Sequence, residues 1–159
     1  MINRRLNKIL CRHCSEEQLQ RIVEDINAMY GTPTKIERAQ DVLDVVANIF
    51  EGADKESMWA LLLTRSNHVI DVIQIGHGTE RNTVVSVKTL AKLALNTDGC
   101  CAVILVHNHP SGTQEASLAD ISITREIREV LSRLDVQVFD HIIYCGRDEY
   151  YSFAENHML

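Results

Sequence analysis

The sequence predicts an α/β domain with a mixed β-sheet flanked by helices, following a short N-terminal helical segment. Three observations predict it. Apolar runs of strand length alternate with segments of helical period after residue 55; the first fifty residues carry helical periodicity alone; and a histidine-rich bend joins one strand to the longest helix.

Residues 15–30 set Leu19, Ile22, Val23, Ile26 and Met29 three and four apart, the spacing of an amphipathic helix, with Ser15 as N-cap and Gly31 as stop. Thr32-Pro33-Thr34 breaks the chain. A second helix is expected from about Ile36 to Phe50 on Val42, Val45, Val46, Ile49 and Phe50, ended by Gly52. Neither helix carries a catalytic cluster. The expected boundary at residues 51–55 separates an N-terminal helical segment, 1–52, from a domain over 53–159.

Residues 58–63 are a near-continuous apolar run, read as a strand buried on both faces. Residues 65–68 are turn-like and 69–75 return as a second strand, so a hairpin is expected. Gly76 and Gly78 mark irregular backbone, and His68 and His77 look like turn residues. Residues 87–96 follow as a helix through Leu90, Leu93 and Leu95, closed by Gly99, and 101–106 form a third strand. The longest helix is expected over 117–134, with Ile121, Ile127, Val130, Leu131 and Leu134 on one face. Residues 136–145 give a fourth strand, and 150–153 a short edge strand.

Composition narrows the function classes. The formal charge of −6 argues against strong non-specific attraction to nucleic acid, and Arg4, Arg5, Lys8 and Arg12 form only a small basic cluster. No apolar run approaches the roughly 20 residues that span a bilayer, so no membrane partner is expected. The basic start is not followed by a signal-peptide pattern, which makes the cytoplasm the expected compartment. Five cysteines, an odd number, are then best read as reduced thiols.

The chemistry concentrates in His107-Asn108-His109-Pro110-Ser111-Gly112, leading on to Ser117 and Asp120. Residues two apart in an extended segment point the same way, so His107 and His109 can face one ion. Pro110 ends the strand ladder and Gly112 permits a sharp bend. Ser117 and Asp120, three apart on a first helical turn, can point back at the histidines. Two imidazoles and a carboxylate suit Zn²⁺, with water in the fourth place. A non-haem iron site uses the same three ligands. Ser117 and Asp120 also have the spacing of a capping box, which would satisfy backbone donors without any metal.

That stretch matches the JAMM signature of the JAB/MPN-type metalloproteases, and the chain more closely resembles the RadC-like (UPF0758) branch. The resemblance covers about residues 53–159, through residues 55–64, Gly78-Thr79, Asp120-Ile-Ser-Ile-Thr124, residues 134–143 and Ser152-Phe153. It implies a cytidine-deaminase-like α/β fold and Zn²⁺ held by His107, His109 and Asp120. It also implies that Glu56 is the general base; the residues alone would make Glu56 a surface group at the start of a strand. The family often has proline where this chain has Ala116, and Pro-Arg-Glu where it has Val87-Lys88-Thr89. The first 52 residues show no paired, glycine-containing helical hairpin of the kind full-length members carry for DNA.

The resemblance therefore implies a zinc-dependent hydrolase that cleaves an amide bond in a peptide or protein substrate. Glu56 would move the proton, and Ser117 would donate to the tetrahedral oxyanion. The competing functions are a DNA-repair-associated accessory protein and a metal-dependent nuclease. Among other candidates, Cys11 and Cys14 have zinc-ligand spacing but no second pair, and Cys100-Cys101 reads as core. His141, beside Asp140 in a strand, reads as a hydrogen-bonded structural histidine. Oligomeric state is not readable from the residues.

Overall fold

The computed structural model describes residues 33–78, 83–146 and 149–159. The helix expected over 15–30, the basic cluster, Cys11, Cys14 and Thr79 lie outside the described residues. The elements run α1 (Ala39–Phe50), β1 (Ser57–Leu63), β2 (Val69–Gly78), β3 (Thr83–Val85), α2 (Val87–Asn96), β4 (Ala102–Asn108), α3 (Leu118–Ser132), β5 (Gln137–Gly146) and β6 (Glu149–Ser152). The strands form one six-stranded mixed sheet, ordered β3-β2-β1-β4-β5-β6. Among the described strands only β4 and β5 pair in parallel, joined by α3, and β1 to β4 is antiparallel.

Both faces of the sheet are covered, which explains the unbroken apolar runs. On β4, Ala102, Ile104 and Val106 pack with Val42, Leu43, Val46 and Phe50 of α1. Val103 and Leu105 point the other way, onto Leu90 and Ala94 of α2 and Ile127 and Leu131 of α3. This period-2 alternation fixes the site, because His107 continues the odd-numbered series and faces α3.

Helix α1 starts three residues later than expected, at Ala39. The Asp41 carboxylate accepts from the backbone N–H of Glu37 at 2.8 Å and of Arg38 at 3.1 Å, which terminates the helix there. These bonds hold the Asp41 pKa below the ordinary carboxylate value. The preceding residues are extended instead: Lys35 bridges His68, and Ile36 N–H donates to the Asn67 carbonyl at 2.9 Å. The domain boundary moves with this helix. Thr34–Leu159 is one compact unit, so the expected division at residue 52 falls between α1 and the sheet it buries.

The β1–β2 hairpin turns at Asn67, whose φ is 63°. β2 runs on past residue 75, which puts His77 in the ladder opposite Ser57 and Val84 rather than in a turn. A register shift does fall here, where Met58 and Trp59 pair with Gly76 and Gln74 and leave Ile75 as the extra residue. The three-residue strand β3 was not expected from the sequence; it is too short to show a period.

Candidate metal centre

His107 ends the core of β4, opposite Met58 on β1 and Ile143 on β5, and is almost fully buried. His109 lies two residues on, where the chain leaves the sheet, and Gly112 then adopts φ 74°, a backbone angle that favours glycine. The bend delivers Ser117 as the N-cap of α3 and Asp120 as its third residue. The sequence thus brings His107, His109 and Asp120 together. Their ligand atoms all lie within 4.8 Å of one another.

The spacings suit a metal ion. His107 Nε2 is 3.0 Å from His109 Nε2 and 3.3 Å from Asp120 Oδ1, and His109 Nε2 is 3.8 Å from Asp120 Oδ2. Ligand bonds of about 2.0–2.1 Å in a tetrahedron place neighbouring donor atoms about 3.3 Å apart. The His107–His109 and His107–Asp120 distances are close to that spacing, and His109 stands farther from Asp120, nearest its other oxygen.

Asp120 reconciles the two readings of Ser117 and Asp120. Its Oδ2 accepts from the Ser117 backbone N–H at 2.8 Å and from the Ser117 hydroxyl at 2.6 Å, while Asp120 N–H donates to Ser117 Oγ at 3.1 Å. The capping box is therefore real and uses Oδ2. Oδ1 faces His107. The same contacts turn the Ser117 hydroxyl toward Asp120.

His109 is oriented from behind. The Thr113 carbonyl can only accept, so His109 Nδ1–H donates to it at 2.7 Å and leaves Nε2 to the site in the neutral ring. Cys145 Sγ–H donates to the same carbonyl at 3.2 Å. Burial pushes the Cys145 thiol pKa up.

His107 rests on His141, with Nδ1 2.8 Å from His141 Nε2, and His141 Nδ1 is 2.6 Å from Thr124 Oγ1. His141 is fully buried and stacks on Phe153 with ring centroids 4.7 Å apart. Burial is the largest cause holding the His107 pKa down at about 4; Asp120 opposes it and His109 adds to it. Burial also pushes His141 well below the ordinary imidazole value. Asp140 accepts from the Ser152 hydroxyl and from the N–H groups of His141 and Ala154, which fastens the C-terminal turn behind His141. Its pKa is raised, chiefly by burial.

Glu56 precedes β1, and its Oε1 is 4.0 Å from His109 Nε2, at the mouth of the cluster. Asn108 sets its position. The buried Asn108 amide accepts from Ser57 N–H at 2.8 Å and donates to the Lys55 carbonyl at 2.9 Å, clasping the backbone on either side of Glu56. Asn108, Thr113 and Thr124 were not singled out in the sequence. Asn108 lies within the motif, and Thr124 lies one helical turn beyond Asp120, which is the signal that points to it.

Glu56, His109, Ser117 and Asp120 line an open cleft of about 880 Å³ with Met58, Val85 and Ile123. His68, His77, Cys100 and Cys101 lie elsewhere in the fold and take no part in the cluster. No described helix is long and apolar enough to cross a membrane.

Sheet, bend and donor set define a JAB-type domain whose His-His-Asp group can hold a metal ion. A match to the RadC-like JAB domain spans residues 36–158, and the chain belongs to that family. The matched span takes in α1. The chain is 37% identical over 121 residues to a UPF0758 protein of Flavobacterium johnsoniae, covering 76% of this chain and 52% of that protein. It is 39% identical over 104 residues to one of Aromatoleum aromaticum, covering 65% and 46%. One of Dechloromonas aromatica is 40% identical over 104 residues, with the same coverage of 65% and 46%. The chain spans about half the length of the curated relatives it matches.

Proposed function

We propose that this domain is a zinc-dependent hydrolase that cleaves an amide bond, in a peptide or an isopeptide linkage of a protein substrate. The observation that carries it is the gathering of three donors within 4.8 Å of one another, with a carboxylate that stands beside them at the cleft mouth. Two neutral imidazoles and a carboxylate are the borderline donor set that suits Zn²⁺. A bound zinc ion would lower the pKa of water toward about 7 and polarise the scissile carbonyl.

The chain's own groups do the rest. Glu56 takes the proton of the attacking water and delivers it to the leaving amine, with Asn108 holding the backbone that carries it. Ser117 lies at the rim to donate to the developing oxyanion. That role requires its hydroxyl to leave Asp120 Oδ2, which keeps the Ser117 backbone N–H as a donor and so stays in place.

The charge of the cleft supports an amide over a phosphodiester. Its carboxylates are Glu56, Glu115, Asp120 and Glu126, with no lysine or arginine among the described lining residues. Phosphate recognition calls for the opposite sign. The test is a panel of peptide, isopeptide and single-stranded DNA substrates offered to the zinc-loaded protein and to Glu56→Gln. Amide cleavage that falls about 10²-fold or more in Glu56→Gln, with zinc retained, is expected. Equal rates in the two proteins, or cleavage of DNA alone, would overturn the proposal.

A further inference from the structure

His107 presents a lone pair to the ion only if its proton sits on Nδ1, and the structure contains a device that decides this. We infer that His141 and Thr124 are positioning residues that select the metal-binding tautomer of His107, through a one-way chain of hydrogen bonds anchored on the Asp120 backbone carbonyl.

The direction follows from the end of the chain. The Asp120 carbonyl can only accept, so the Thr124 hydroxyl must donate to it, at 2.5 Å. Thr124 Oγ1 then has only lone pairs to offer, and His141 Nδ1–H donates to it at 2.6 Å. A neutral His141 with its proton on Nδ1 has an unprotonated Nε2, which accepts from His107 Nδ1–H at 2.8 Å. His107 Nε2 is left without a proton, facing His109 Nε2 and Asp120 Oδ1. Reversing the chain would put a proton on His107 Nε2, where the ion binds, and would leave the Thr124 oxygen against the Asp120 carbonyl with no hydrogen between them. Its three side chains are buried: Thr124 is 2% exposed, His141 0% and His107 3%, and only the anchoring Asp120 is partly exposed. Burial therefore keeps water from substituting for a missing link between these side chains.

One residue thus serves both ends. Asp120 offers its side chain to the ion and its main-chain carbonyl to the chain that orients His107, so the first turn of α3 sets two ligands together. Outer partners of this kind typically change metal affinity 10–100-fold when lost.

The inference rests on the metal reading of the site and is independent of the substrate. Its test begins with the metal-free wild-type protein, in which long-range ¹H–¹⁵N correlation spectra report the tautomer of each ring. His107 and His141 should both carry their proton on Nδ1. Zinc affinity is then measured by competition with a chromophoric chelator. Thr124→Val and His141→Phe should bind zinc 10–100-fold more weakly. Thr124→Ser and His141→Gln, which keep the acceptors in place, should stay within about threefold of wild type on the same argument. A proton on His107 Nε2 in the wild-type protein would overturn the inference even if a variant failed to fold. Wild-type zinc affinity in a folded His141→Phe would do the same, and either result leaves the metal reading intact. Failure of the wild-type protein to bind zinc, with both protons on Nδ1, would instead count against the metal reading alone.

Discussion

Stripped of metal by a chelator, the domain should lose stability on acidification, with His107 responsible for a defined share. Its pKa is about 4 in the folded protein against an ordinary value of 6.5, because burial disfavours the imidazolium. Between those values the unfolded chain binds the proton and the folded one does not, so stability rises with pH across the window. The contribution is intact above about pH 6.5 and disappears as pH falls toward 4. At 1.36 kcal/mol per pKa unit the whole shift corresponds to about 3 kcal/mol, of which about 2 kcal/mol is lost between pH 7 and pH 4.5. His141 shifts in the same direction from the same cause, so the total loss should be larger still. Urea unfolding at both pH values, with chelator, on wild type and His107→Gln isolates the term, because the carboxylates are common to both proteins. The variant should lose about 2 kcal/mol less than wild type. An equal loss in the two proteins, or an NMR titration midpoint for His107 near 6.5, would refute the reasoning.

Asn108→Leu removes the clasp around Glu56. It should cost about 1–3 kcal/mol, because it leaves the Ser57 N–H and the Lys55 carbonyl without their partner. It should also slow amide cleavage about 10²-fold while zinc affinity, read by chelator competition, stays at the wild-type value. Phe50→Ala should destabilise the fold by about 3–5 kcal/mol in urea unfolding, since Phe50 is buried and packs on Tyr144 with centroids 5.3 Å apart. A fragment limited to residues 53–159 should lack a cooperative transition; a cooperative one of wild-type midpoint would show that α1 is dispensable.

The grouping of His107, His109 and Asp120 was legible because it depends on short-range geometry. His107 and His109 are two apart in a strand, and Ser117 and Asp120 are three apart on a helical turn, so spacing alone put each pair on one side. The boundary after residue 52 misled for the opposite reason. Val42, Val46 and Phe50 show helical period, but nothing local says that their apolar face packs on Ile104 and Val106, more than fifty residues later. His141 has the same character. Its neighbour Asp140 suggested a structural hydrogen bond, and the structure supplies one to its backbone; yet the ring itself bonds His107 and Thr124, both distant in sequence. Capping box and ligand set were alternatives in the sequence because a residue name does not say that a carboxylate has two oxygens to assign. In the tertiary arrangement Oδ2 serves the cap and lies nearest His109, while Oδ1 lies nearest His107.

Metal stoichiometry decides the site most directly. The purified protein, loaded with zinc and dialysed, should hold one ion per chain by elemental analysis, and X-ray absorption should show two imidazole nitrogens with oxygen donors. His107→Ala/His109→Ala should hold none. Zinc retained by that double variant, or four protein ligands around the ion in the wild type, would contradict the three-ligand centre from which the proposed hydrolysis follows.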